Sequence, residues 1–92
     1  MANLNGKNVI ITGAAGGLGG EIARAAAAAG AAVAIFDVKG VDEAVANLKQ
    51  SGFKAVGVTV DVRDGKAVVA ATDEVARALG GVHILIAAAN ML

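Results

Sequence analysis

One continuous stretch limits what this chain can fold into more than any other. Val9-Ile10-Ile11 runs into Thr12-Gly13-Ala14-Ala15-Gly16-Gly17-Leu18-Gly19, and an alanine-rich segment follows as far as Ala29. The apolar run reads as a strand and the alanine-rich segment as a helix. The glycines between them let the chain turn sharply and present bare backbone N–H groups at the helix start. Peptide dipoles favour an anion there. This strand–glycine loop–helix join is what a backbone needs to rest a dinucleotide pyrophosphate on a helix N-terminus.

The same alternation continues along the chain. Strand one is expected at Asn8–Thr12 and helix one at Gly17–Ala29, closed by Gly30. Strand two is Ala32–Phe36, an unalternating apolar run of the kind buried on both faces of a parallel sheet. Helix two covers Val41–Gln50, where Val41, Ala44, Val45 and Leu48 form one apolar stripe. Strand three is Ala55–Val60. Asp64 then caps a third helix with the stripe Val68, Thr72, Val75, Ala76 and Leu79, and Gly80-Gly81 ends it. Strand four is His83–Ala88. Alternating strands and helices imply a parallel sheet with right-handed crossovers, here in a single α/β domain over residues 1–92.

Composition narrows the function classes. The chain is 57% hydrophobic, yet at 92 residues it hides only about two-thirds or less of its unfolded surface. That combination predicts self-association. Eight basic residues balance eight acidic ones without a basic run, which argues against nucleic acid and anionic membranes. No cysteine is present, and one histidine leaves no metal cluster. Residues 1–8 lack the apolar core of a signal peptide, and the apolar stretch Ala25–Phe36 is too short to span a bilayer. The default expectation is a cytoplasmic protein. The absence of proline, tryptophan and tyrosine, with the run Ala25–Ala29, fits either an engineered or simplified chain or an alanine-rich genome.

The loop glycines read G-x-x-x-G-x-G, which is neither G-x-G-x-x-G nor a nucleoside-triphosphatase loop. Asp37 ends strand two, where a carboxylate accepts hydrogen bonds from adenosine ribose hydroxyls. It would repel a 2′-phosphate by up to about 4 kcal/mol at ~4 Å and an effective dielectric near 20. NAD is therefore favoured over NADP, a preference that Lys39 softens if its side chain turns back. The competing readings are a purely structural glycine turn and a solvated strand-end aspartate.

Taken together, Thr12-Gly13-x-x-x-Gly17-x-Gly19, the lead-in Leu4-Asn5-Gly6-Lys7-Asn8-Val9, Asp37 and Val60-Asp61-Val62 resemble the N-terminal part of a short-chain dehydrogenase/reductase. The resemblance covers the chain from Leu4 to about Ala89. It implies a three-layer half-Rossmann fold, with four strands ordered 3-2-1-4 and three helices. Helices one and two then share one face, and helix three lies alone on the other. One helix cannot cover four strands, so the uncovered surface and the edge of strand four predict a homodimer or larger oligomer. The resemblance also implies a cofactor site. Gly13, Gly17, Leu18 and Gly19 lie at the pyrophosphate, Asp37 at the ribose, Asp61 and Val62 around adenine, and Ala88 and Ala89 at the end of strand four.

The chain departs from the family in two places. The family's Asn-Asn-Ala-Gly corresponds to Ala87-Ala88-Ala89-Asn90, so only Ala89 matches and Asn90 replaces a glycine. The family's catalytic serine and Tyr-x-x-x-Lys lie beyond this length; the chain has no tyrosine and a single serine, Ser51. His83 occupies a position where the family carries a structural aspartate, and it is read as non-catalytic. The expectation is an NAD(H)-binding module without dehydrogenase activity of its own. The alternative is an engineered or truncated assembly unit that folds and oligomerises without binding a cofactor. On helix surfaces, Glu21–Arg24 and Asp73–Arg77 are spaced as ion pairs.

Overall fold

The computed structural model describes residues 3–88. The order is β1 (Asn8–Thr12), α1 (Gly17–Ala28), β2 (Ala32–Asp37), α2 (Val41–Gln50), β3 (Ala55–Thr59), α3 (Gly65–Leu79) and β4 (Ile84–Ala87). The strands form one parallel sheet in the order β3-β2-β1-β4, as the half-Rossmann expectation required. Thr12 stands opposite Phe36 and Ala87, and Asp37 opposite Thr59. The four strands therefore finish level at one edge of the sheet.

Residue alternation divides the interior into two layers. Val9 and Ile11 of β1 and Val33 and Ile35 of β2 pack on Ala23, Ala26 and Ala27 of α1 and on Val41 and Leu48 of α2. Ile10, Ala34 and Phe36 face the other way, against Ala71 and Val75 of α3. The two central strands are covered on both sides, which is why they carry no polar alternation. The small side chains on the inner face of α1 let its backbone lie close to the sheet. On β4, Ile84 and Ile86 join the α1–α2 layer, but Leu85 on the opposite face is 65% exposed. A lone α3 leaves that strand uncovered.

The helix ends are built locally. At the end of α1, the Gly30 N–H donates to the Ala27 carbonyl and the Ala31 N–H to the Ala26 carbonyl, the paired bonds of a Schellman stop. Gly52 and Phe53 repeat the pattern on Lys49 and Leu48 at the end of α2. Asp64 caps α3 by accepting the Ala67 N–H at 3.2 Å. Asn8 ties α3 to the sheet, its amide donating to the carbonyls of Leu79 (2.9 Å) and Gly81 (3.0 Å).

Several boundaries differ by a residue from those read in the sequence. β2 extends to Asp37, because that residue still pairs with Thr59. β3 stops at Thr59 and α1 at Ala28, with Ala29 serving as the cap. β4 starts at Ile84 and ends at Ala87. The anticipated surface ion pairs do not form: among the described residues, Asp61–Arg63 is the one salt bridge. Arg24 reaches instead across to the end of α2, donating to Ser51 Oγ at 3.2 Å with its guanidinium 5.7 Å from the Phe53 ring centre. A hydrogen bond plus an aromatic face outweighs a solvated partner on the same helix. Among the described residues, no helix is long and apolar enough to cross a membrane.

Phe36 is fully buried beneath α3, whereas Phe53 is only half-buried. Phe36→Ala is expected to lower the unfolding free energy by about 3–5 kcal/mol, and Phe53→Ala by clearly less. Urea titrations followed by circular dichroism check this; equal losses would contradict the central place of Phe36.

Candidate functional site

The C-terminal edge of the sheet carries the glycine loop. The chain leaves β1 at Thr12, passes Gly13 at φ +66°, and turns again at Gly17 with φ +57°. A side chain is disfavoured at both positions by backbone conformation, and at Gly17 a Cβ would meet nothing within 4 Å. Gly19 is needed for a different reason. A Cβ there would collide with the Gly13 carbonyl oxygen and sit 3.1 Å from Ala14 Cα. The two turning glycines shape the loop, and Gly19 lets the first turn of α1 fold back against it.

The start of α1 is left electrostatically open. Gly16 occupies the N-cap with no side-chain hydrogen bond, and the first turn holds no acidic residue. Its N–H groups and the positive end of the helix dipole are thus not neutralised by the helix's own side chains. Leu18, 69% exposed, stands on the outer surface of this turn.

The register of β1 and β2 sets the loop beside Asp37. The Gly13 N–H donates to the Phe36 carbonyl at 2.8 Å. One turn further on, the Ala15 N–H donates to Asp37 Oδ2 at 3.1 Å, while Asp37 Oδ1 accepts the Val38 N–H at 2.7 Å. The sequence predicts a cofactor-facing carboxylate at Asp37, and the structure adds its contact with the loop. Ala15 escaped that reading because its part is played by a main-chain N–H. Only the loop's position in the fold marks such a group.

Asp61 and Val62 follow β3 at the same edge, anchored by the Val60 N–H on the Asp37 carbonyl at 2.8 Å. The Asp61 carboxylate accepts the Arg63 N–H at 2.9 Å and Arg63 Nη2 at 2.8 Å. That guanidinium lowers the Asp61 pKa to about 2. Ala88 follows β4 beside the end of β1. Ala89, assigned to the same site from the sequence, and Asn90 lie outside the described residues.

The other reactive side chains are elsewhere. His83 is paired with the start of β1, its Nδ1 accepting the Asn8 N–H at 2.9 Å and its N–H donating to the Asn8 carbonyl at 3.0 Å. Ser51 follows the last turn of α2, also away from the loop edge. Among the described residues, no cluster of three or more histidine, cysteine or acidic side chains is arranged to hold a metal ion. The loop edge pairs a set of backbone donors with a carboxylate acceptor.

Comparison with known proteins places this geometry in a family. The model of the short chain dehydrogenase family matches residues 7–92. A cis-4-hydroxycyclohexanecarboxylate dehydrogenase from Sinomonas cyclohexanicum is 40% identical over 83 residues, covering 89% of this chain and 33% of that protein. An NAD(+)-designated 2-dehydro-3-deoxy-L-rhamnonate dehydrogenase from a Sphingomonas species is 41% identical, covering 94% of this chain and 34% of the relative. Among solved structures, a 7α-hydroxysteroid dehydrogenase in complex with NADH and 7-oxo glycochenodeoxycholic acid superimposes with a TM-score of 0.86 at 36% identity. The match takes in 90% of this chain and 33% of that one. The chain spans about a third of the length of the curated relatives it matches. With the glycine loop, the strand order and the family match in agreement, the chain belongs to the short-chain dehydrogenase family.

Proposed function

We propose that these residues form the adenosine and pyrophosphate half of a nicotinamide-cofactor site, with NAD(H) preferred over NADP(H). One observation carries the reading. A carboxylate at the end of β2, Asp37, lies within hydrogen-bond reach of the loop at the open N-terminus of α1. An anion acceptor and a diol acceptor side by side match a ribose joined to a pyrophosphate. In this reading Gly13, Gly17, Leu18 and Gly19 surround the pyrophosphate and Asp37 takes the ribose hydroxyls. Asp61 and Val62 border adenine, while Ala88 and Ala89 line the way to the nicotinamide. The NAD(+) in one relative's name and the NADH bound by another support the cofactor class.

The reading assigns binding, and not hydride transfer, to these 92 residues as one domain. They contain no tyrosine, and Ser51 and His83 sit away from the loop edge. A carboxylate facing the ribose disfavours a 2′-phosphate through Coulomb repulsion, which is the basis for preferring NAD(H). A second reading, self-assembly into a homodimer or larger oligomer, is favoured by the 65% exposure of Leu85 on the edge strand β4. An apolar strand edge of this kind offers unpaired backbone groups to another chain.

Fluorescence titration should give saturable NADH binding, tighter than NADPH. Asp37→Ala should weaken NADH by about 10- to 100-fold, the loss expected when hydrogen bonds to a charged acceptor are removed, and should narrow the gap to NADPH. An unaltered NADH/NADPH ratio would contradict the ribose assignment. Gly17→Val should abolish NADH binding while the circular dichroism spectrum stays native, because the strain lies in the backbone turn and not in packing. Unchanged affinity would overturn the role of the loop. Sedimentation should show a concentration-dependent oligomer, and a monomer at every concentration would end the assembly reading.

A further inference from the structure

We infer that Asp37 is a positioning residue for the glycine loop: its carboxylate holds the Ala15 main chain in place before any ligand arrives. That the loop so held receives a phosphate rests on the function proposed above, whereas the latch itself is a property of the free chain. Two bonds join the loop to the end of β2. The Gly13 N–H on the Phe36 carbonyl (2.8 Å) closes its base, and the Ala15 N–H on Asp37 Oδ2 (3.1 Å) holds it farther out. The carboxylate is oriented for this by its other oxygen, which accepts the Val38 N–H at 2.7 Å.

The loop needs such a tether. Ala15 lies between Gly13 and the Gly16-Gly17 pair, and glycines leave the backbone the widest choice of conformations. An untethered loop would spend only a fraction of its time with its N–H groups aimed at one point. Affinity falls in proportion to that fraction. A side-chain carboxylate at the end of a strand buried in the sheet is a rigid place from which to remove that freedom.

The latch is compatible with ligand binding. An ionised carboxylate offers about four lone-pair directions. Ala15 and Val38 occupy one on each oxygen, so each oxygen keeps one for a ribose hydroxyl. A vicinal diol can therefore bind without opening the loop. One side chain then sets both the choice of cofactor and the shape of the phosphate cradle. Substitution at Asp37 should consequently loosen the phosphate cradle as well as change the choice of cofactor.

The test is amide hydrogen exchange of Ala15, followed by NMR on the nitrogen-labelled full chain. In the free wild-type protein the Ala15 N–H should be protected. In Asp37→Ala it should exchange about tenfold faster, the scale of one hydrogen bond to a charged acceptor, while amides of β1 and β2 stay unchanged. Asp37→Asn, which retains a side-chain oxygen, should recover part of the protection. Saturation of the wild type with NADH should leave Ala15 protected. Exchange at Ala15 that is unaltered in a folded Asp37→Ala variant would overturn the inference. So would loss of protection on adding NADH. If Asp37→Ala fails to fold, the wild type decides alone, because an unprotected Ala15 is incompatible with the latch. A protected Ala15 that depends on Asp37, in a chain that binds no NADH, would uphold the latch and overturn the proposed function.

Discussion

The candidate site depends on the parallel register between β1 and β2. Pairing Thr12 with Phe36 brings the first glycine of the loop next to the last residue of the neighbouring strand. A slip of one residue would send Asp37 to the opposite face and exchange the two core layers. Register is held because both strands are buried on both sides, so any shift would expose Ile10 and Phe36 or Ile11 and Ile35 to the wrong helices. The precision of a polar site is thus inherited from apolar packing some distance below it.

The same packing explains how the site stays available. The helix that begins at the loop contacts the sheet through alanines, Ala23, Ala26 and Ala27, and not through bulky side chains. Close approach of α1 brings its first turn down to the strand ends, where Gly19 sits against the Gly13 carbonyl. A helix held farther out by leucines would carry its N-terminus away from Asp37. The alanine richness that makes the chain look simplified is, along this face, a spacing device.

Much of this was legible in the residues. The unalternating runs at Val9–Ile11 and Ala32–Phe36 state that these strands are covered twice, and the stripe on helix three identifies the face that covers them. Asp64 declared its cap because a side chain performs it. What could not be read falls into one physical class: contacts in which a partner is main chain or comes from a remote element. The Ala15 N–H on Asp37 and the Asn8 amide on the end of α3 leave no mark in local spacing. The glycines were readable as a group, but not their separate duties, since backbone conformation and steric approach demand the same residue. Arg24 was misassigned for a similar reason. Spacing along a helix lists the partners nearby and is blind to Ser51 and Phe53, which folding brings closer.

The Asn8–His83 junction has a kinetic meaning. Its hydrogen bonds join residues separated by 71, 73 and 75 positions, so they close a loop that contains nearly the whole chain. The entropy of that closure must be met before the contacts it brings can repay it. Among the described residues β4 pairs with β1 alone, and the end of α3 is fastened to Asn8. β1 therefore waits for β4, more than seventy residues further on, before this side of it is paired. Until that pairing forms, β1 presents an unpaired apolar edge, and the chain is more prone to associate.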